Sequence, residues 1–392
     1  MRRFQLVALD QALSSATNFA TVLLAGVYLG GADFGAYALA GSLFGLTLAA
    51  ARMSSSERLA TPTRDHAQFV LAPITVVAVA VAAIVGSGLL LVVTERSVVI
   101  QWIIAGPLIV LNDRMRYAAL IRRPVVAVAA DATWFVVVVA AWSSIELGLL
   151  DGEIGLIVAT AGGPAAGLFV LAAEGWRSVT AWTAVDLRAA RSEVPYIADA
   201  WLQAAAVFIS LAVVASTASL TVAGGARGVM LVFQPFVSLS YAGRLLIIGS
   251  SDERRVRAWP TIMLVASLAY SILIGGVLIL AHAADSTPSI WDFGRITFVL
   301  VACGQVARAF HQGVVDVLRR TDPRGLLPAR LVFAVVIVAL TAPLVRRWEL
   351  EGFALTFGVS YTIGAAVMWW RKRRDSASTA PVSDTVAGDG SH

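Results

Sequence analysis

DQALSSATNFATVLLAGVYLGGADFGAYALA, residues Asp10 to Ala40, holds two apolar runs joined at a short glycine turn, Gly30 and Gly31. With its flanks, each run reaches the roughly 20 residues that a helix needs to cross a bilayer core. The same unit recurs to the end of the chain. Apolar stretches fall at about 12 to 30, 34 to 52, 69 to 93, 98 to 120, 125 to 145, 154 to 173, 196 to 218, 228 to 249, 260 to 281, 293 to 318, 328 to 345 and 350 to 370. The expectation is an all-α polytopic membrane protein with about 12 transmembrane helices.

Composition excludes a water-soluble fold: 58% of residues are hydrophobic and 14% charged, with a mean hydropathy of +0.79. The longest gaps, near 53 to 68 and 174 to 195, read as loops or short surface helices. The polar tail from Asp375 has little to bury and reads as solvated. The domain reading is an N-lobe over 1–173, a cytoplasmic linker over 174–195, a C-lobe over 196–370 and a disordered cytoplasmic tail over 371–392.

Basic residues set the orientation. Of the 30, 23 fall on one side, including Arg2, Arg52, Arg114, Arg116, Arg123, Arg254, Arg330 and Arg371. The other side carries Arg96, Arg227, Arg295, Arg346 and Arg347, and Arg244 and Arg308 lie within segments. Both termini are therefore expected in the cytoplasm. This asymmetry also accounts for the pI near 9.8, so nucleic acid is not an expected partner. The first 28 residues carry Asp10 and Asn18 in their apolar run and no small-residue cleavage motif, so no cleavable signal peptide is expected. Cys303 is single and sits in an apolar segment.

An internal duplication follows from segments 1 and 7. An offset of 189 aligns Asp10 with Asp199, Ser14 with Gln203, Phe19 with Phe208 and Thr21 with Ser210. In each segment the polar positions share one helix face. Six segments separate the copies, so the repeat is parallel, and two six-helix lobes with a pathway between them are an alternating-access architecture. Small-residue pairs, among them Gly26 with Gly30 and Gly224 with Gly228, permit close helix approach. Pro107, Pro164 and Pro235 each remove a helical hydrogen bond and offer bends.

Polar residues at membrane depth must face protein or water. Gln305, Arg308, Gln312 and Asp316 follow one another by three or four residues with His311 beside them, a stripe suited to an aqueous cleft. The other reading of that stripe is a salt-bridge network, Arg308 to Asp316 or between helices. Arg227 and Arg244 bracket segment 8 and read as snorkelling to the two interfaces. Asp113, Arg114 and Arg116 close segment 4 at the cytoplasmic surface, and Asp131 reads as a local ion pair. No Walker A sequence, HExxH spacing or Gly-x-Ser-x-Gly elbow is present. Neither an enzyme, a metal site nor a cofactor is expected.

The opening Asp10 to Ala40, with its Leu29, Gly30, Phe34, Gly35, Tyr37 turn, resembles polysaccharide and O-antigen flippases of the multidrug/oligosaccharidyl-lipid/polysaccharide (MOP) exporter superfamily. LNDRMRYAALIRRP, Leu111 to Pro124, and GGARGVMLVFQP, Gly224 to Pro235, are similar to the same family. The resemblance implies a MATE-like pair of six-helix lobes whose helices 1, 2, 7 and 8 line a central cavity. It places Asp10, Ser14, Asn18, Asp199 and Gln203 in that cavity, beside the Gln305, Arg308, His311 and Gln312 stripe. The implied cargo is a lipid-linked glycan, flipped across a bacterial plasma membrane with its polyprenyl tail left in the bilayer. Arg308, then Arg227 and Arg52, are the candidate partners for its phosphate. A polysaccharide polymerase or glycosyltransferases would be protein partners. Two other readings stay open at this point. One is a proton- or sodium-coupled small-molecule or drug exporter using Asp10, and the other a membrane subunit of a polysaccharide-assembly system that transports nothing.

Overall fold

The computed structural model describes residues 2–52, 72–179, 187–237, 240, 243, 247, 252–284, 293–321 and 326–378. Among the described residues there are helices and short connections and no strand. The helices are α1 Arg2–Tyr28, α2 Gly31–Ala51, α3 Ala72–Thr94, α4 Ile100–Arg122, α5 Pro124–Glu146, α6 Gly152–Ile157, α7 Gly163–Val179, α8 Leu187–Thr217, α9 Leu220–Val232, α10 Glu253–Ala283, α11 Arg295–Thr321 and α12 Leu326–Ser378. In hydrocarbon every backbone N–H and C=O must be bonded within the protein, and a helix does this within each segment. Nine helices among the described residues are long and apolar enough to cross a membrane. One of them, the apolar length Leu326–Trp370, is broken at Trp348 and Glu349, where φ turns to −137° and +43°. The two arms fold back on each other at Gly352, where a Cβ would lie 2.1 Å from the Leu344 carbonyl oxygen.

The helices begin and end differently from the apolar runs. Ser219 Oγ accepts from the Val222 N–H at 3.1 Å and starts α9 at Leu220. Arg227, read from sequence as lying just outside segment 8, is therefore inside a helix. The segment read as a linker over 174–195 is helical at both ends, since α7 runs to Val179 and α8 starts at Leu187. Residues 180–186, the loop at 53–68, Arg244 and the tail from 379 lie outside the described residues. α12 continues to Ser378, so the first residues of the presumed tail are helix. α6 and α7 form one span through a widened π-helical turn, Val158–Gly162. The turn precedes Pro164, whose ring cannot donate to the preceding turn, and the extra residue accommodates it.

The N-lobe, α1 to α7, packs around Leu24, Phe34, Tyr37, Phe44, Trp102, Trp134 and Val138. The C-lobe, α8 to α12, packs around Leu211, Val214, Phe333, Phe357 and Tyr361, and Leu39 of α2 joins that core. α2 is thus shared: it packs on α3 within its own lobe and on α8 and α9 of the other. At the starts of α2 and α9 the two lobes meet backbone to backbone. A Cβ on Gly35 would fall 1.8 Å from the Leu220 carbonyl oxygen, and one on Gly224 would fall 2.9 Å from that of Gly31. Only glycine permits this approach, and it seals the lobes at that end.

Candidate substrate cavity between the lobes

Beyond the seal the lobes enclose a cavity of about 310 Å³. α2 lines it with one face, Tyr37, Gly41, Phe44, Leu48 and Arg52, spaced by three and four residues. α1 contributes Ser14 and Asn18, four residues apart, with the Asn18 amide donating to the Ser14 carbonyl at 2.9 Å. α4 and α5 add Trp102, Asn112, Asp113, Arg116, Asp131 and Trp134. The C-lobe wall is Arg227 and Leu231 of α9 with Gln234, which follows the end of that helix at Phe233.

The N-lobe wall is a charge cluster. Arg116 donates from Nη1 to Asp131 Oδ2 at 2.7 Å and to Asp10 Oδ2 at 3.3 Å, and from Nη2 to Asp113 Oδ1 at 3.4 Å. Arg52 grips Asp113 with two prongs, Nε to Oδ2 at 3.0 Å and Nη2 to Oδ1 at 2.6 Å. Buried charge persists only where it is paired and hydrogen-bonded, and this network supplies both. The C-lobe repeats the theme with different donors: Arg330 Nε donates to Asp199 Oδ1 at 2.6 Å, both side chains fully buried. Thr21 and Ser210, aligned by the repeat, also behave alike, each donating to the carbonyl four residues earlier at 2.9 and 2.7 Å.

On the C-lobe side Arg227 makes no ion pair or hydrogen bond among the described residues, and its charge faces the cavity. Arg308 has no carboxylate partner among the described residues; it reaches Gln305 Oε1 at 3.4 Å and lies 6.0 Å from the Tyr361 ring centroid. Gln305, Arg308 and Gln312 line a second recess of about 10 Å³ with Phe236 and Met263, room for about one water.

Set against the sequence reading, Ser14 and Asn18 line the main cavity and Gln305, Arg308 and Gln312 the small recess. Three residues expected in the cavity are behind its walls. Asp10 and Asp199 are fully buried in ion pairs. His311 is buried between Phe333 and Tyr361, ring centroids 5.7 and 5.3 Å away, because its side of α11 packs against α12. Gln203 is half-buried and borders neither space. Arg52 reaches the cavity but is already engaged by Asp113. The Arg308 to Asp316 alternative does not form: Asp316 accepts from Gln312 at 2.9 Å and from Trp259 at 3.1 Å. Arg116 and Arg330, counted as cytoplasmic loop cations, are inside the lobes, while Asp131 makes the ion pair expected of it. The sequence reading missed Tyr37, Trp102, Asn112, Trp134 and Gln234 as wall residues. Asn112 and Gln234 were visible as amides interrupting apolar helices; nothing marked the aromatics among many others.

No family model and no curated relative matches the chain. Solved structures do. A MOP superfamily transporter from Pyrococcus furiosus aligns at a TM-score of 0.61 and 14% identity, over 97% of this chain and 96% of that one. A MATE protein in a bent conformation aligns at 0.59 and 16% identity over 96% and 98%. The Vibrio cholerae MATE transporter VcmN in its bent form aligns at 0.55 and 14% identity over 96% and 97%. The chain thus shares the MATE-like fold of these structures over nearly its whole length.

Proposed function

We propose that the protein is an alternating-access membrane transporter that flips a polyprenyl-(pyro)phosphate-linked oligosaccharide across the plasma membrane of a bacterium for polysaccharide biosynthesis. The observation that carries this reading is Arg227, a cation set within α9 on the cavity wall with no counter-ion among the described residues. A guanidinium half-buried on a cavity wall is suited to a phosphate oxyanion, with which it can form charge-assisted, bidentate bonds. Arg308 stands behind it as a second cation on the same lobe. With both termini cytoplasmic, the glycine seal would close the outer face and the cavity would lie on the cytoplasmic side, where lipid-linked glycans are assembled. A polymerase or glycosyltransferases would act with it, and no catalytic step is needed.

Mass spectrometry of extracted lipid-linked glycans, with surface polysaccharide measured in parallel, tests the proposal in cells depleted of the protein. A complete oligosaccharide lipid should accumulate while its surface polymer falls, and Arg227→Ala should reproduce this at normal protein level. Unchanged glycans in both would overturn it. They would favour a second reading, a cation-coupled small-molecule exporter, which draws on the N-lobe cluster, where three carboxylates meet two guanidinium groups.

A further inference from the structure

The second arm of α12 is apolar from its break at Glu349 to Trp370. At about 1.5 Å per residue that length crosses the roughly 30 Å of a bilayer core, yet the helix does not stop there. It continues to Ser378 and carries Arg371, Lys372, Arg373 and Arg374 in succession, a full helical turn of cations. No carboxylate occurs between Glu351 and Asp375. Before the turn stand two tryptophans: Trp369, whose ring lies 5.9 Å from that of Phe310 in α11, and Trp370, 62% exposed. An indole suits headgroup level, where its body meets acyl chains and its N–H meets polar groups.

Tertiary packing brings more cations to the same place. α11 and this arm run parallel, with Thr297 donating to Glu351 at 2.7 Å near their starts and Leu318 sharing a buried cluster with Met368 near their ends. The last residues of α11, Arg319, Arg320 and Thr321, therefore come to the end at which Arg371 begins the basic turn. Against these cations the two helix ends set only Asp316, which is buried, and Asp375. The opposite end of the arm is balanced, since Arg346 and Arg347 are followed by Glu349 and Glu351. A bias of arginines to one side accounts for cations at this end, but not for a run of them on a helix prolonged past the bilayer core.

We propose that this end of the C-lobe is a binding surface for anionic phospholipid headgroups, with the Arg371–Arg374 turn of α12 and the Arg319–Arg320 end of α11 as its cations. A basic cluster directly beyond a spanning helix attracts anionic lipid, and guanidinium groups match its phosphate oxygens. The occupant is bulk phospholipid of the adjacent leaflet, not cargo. Arg227 lies two residues after Gly225, whose Cβ would meet Leu350 at 3.5 Å, so the cation proposed for the cargo phosphate sits at the far end of the arm.

Native mass spectrometry tests this on the full-length protein, titrated in detergent with phosphatidylglycerol and phosphatidylcholine of identical acyl chains. Phosphatidylglycerol should bind about tenfold more tightly, the worth of one or two juxtamembrane cations, and the preference should shrink as salt is raised. Arg371→Gln, Lys372→Gln, Arg373→Gln and Arg374→Gln together should remove most of the preference, whereas Arg346→Gln with Arg347→Gln should leave it. Equal affinities in the wild-type protein would overturn the inference, as would a preference that survives in the folded fourfold variant. If that variant does not fold, photoreactive phosphatidylglycerol on the wild-type protein in nanodiscs decides. Labelling should concentrate at the ends of α11 and α12, and labelling spread evenly over the helices would sink the proposal. Tighter binding of a short-chain polyprenyl phosphate than of phosphatidylglycerol at this end would assign the surface to cargo and overturn it as well.

Discussion

Arg330 and Asp199 form a fully buried ion pair in the C-lobe, a guanidinium and a carboxylate with no exposed surface. Removing Arg330 takes the guanidinium from a fully buried carboxylate, so Arg330→Ala should destabilise the protein by about 3–5 kcal/mol, seen as a lower Tm in detergent. Replacing both, Arg330→Met with Asp199→Leu, should recover most of that loss, because desolvation of the pair offsets much of its attraction. Arg227 should behave in the opposite way. It has no protein partner among the described residues, so Arg227→Ala should leave Tm nearly unchanged and reduce transport, and Arg227→Lys should restore only part of it because an ammonium lacks the planar fork. Tm and transport measured on the same preparations separate the two roles.

Element by element, the sequence signals were of unequal quality. α3 and α10 are apolar nearly all round and face outward, as the exposed Val77, Val81, Leu89, Ile272 and Leu280 show, so their existence followed from composition. α1 is diluted by Asp10, Ser14, Thr17 and Asn18, whose face meets protein and the cavity instead of lipid. α9 begins eight residues before its assigned apolar run because Ser219 caps it, and short polar caps weigh little in a hydropathy window. The turn of α12 at Glu349 depends on Gly352 packing against the Leu344 carbonyl. Gly352→Ala should force that hairpin apart and lower the Tm by several degrees, whereas alanine at Gly45, which has open space, should not.

Over the whole molecule the seal between α2 and α9 decides which end of the cleft is closed. A Cβ on Gly31 would stand 3.6 Å from the Thr221 Cβ, within the spacing of a disulfide. In a Cys303→Ser background, Gly31→Cys with Thr221→Cys should cross-link under mild oxidation and stop transport, and reduction should restore it. Cross-linking without loss of transport would show that the seal does not open during the cycle. Gly35→Leu should have the reverse effect, prising the seal open and raising reactivity of a cysteine placed at Tyr37 toward reagents added on that side.

The chain of apolar runs determined a polytopic helical protein, because a segment in lipid must bond its own backbone and a helix does so. Which polar residues meet the cavity was decided by tertiary structure. Helical periodicity places Asp10 on the same face as Ser14 and Asn18, yet only packing shows that Arg116 draws the carboxylate inward while its neighbours stay exposed to the cleft. Arg116, Arg330 and Arg227 look alike as arginines near helix ends. Two found carboxylates on other helices 106 and 131 residues away, and the third found none among the described residues, a distinction that depends on contacts between helices far apart in the chain.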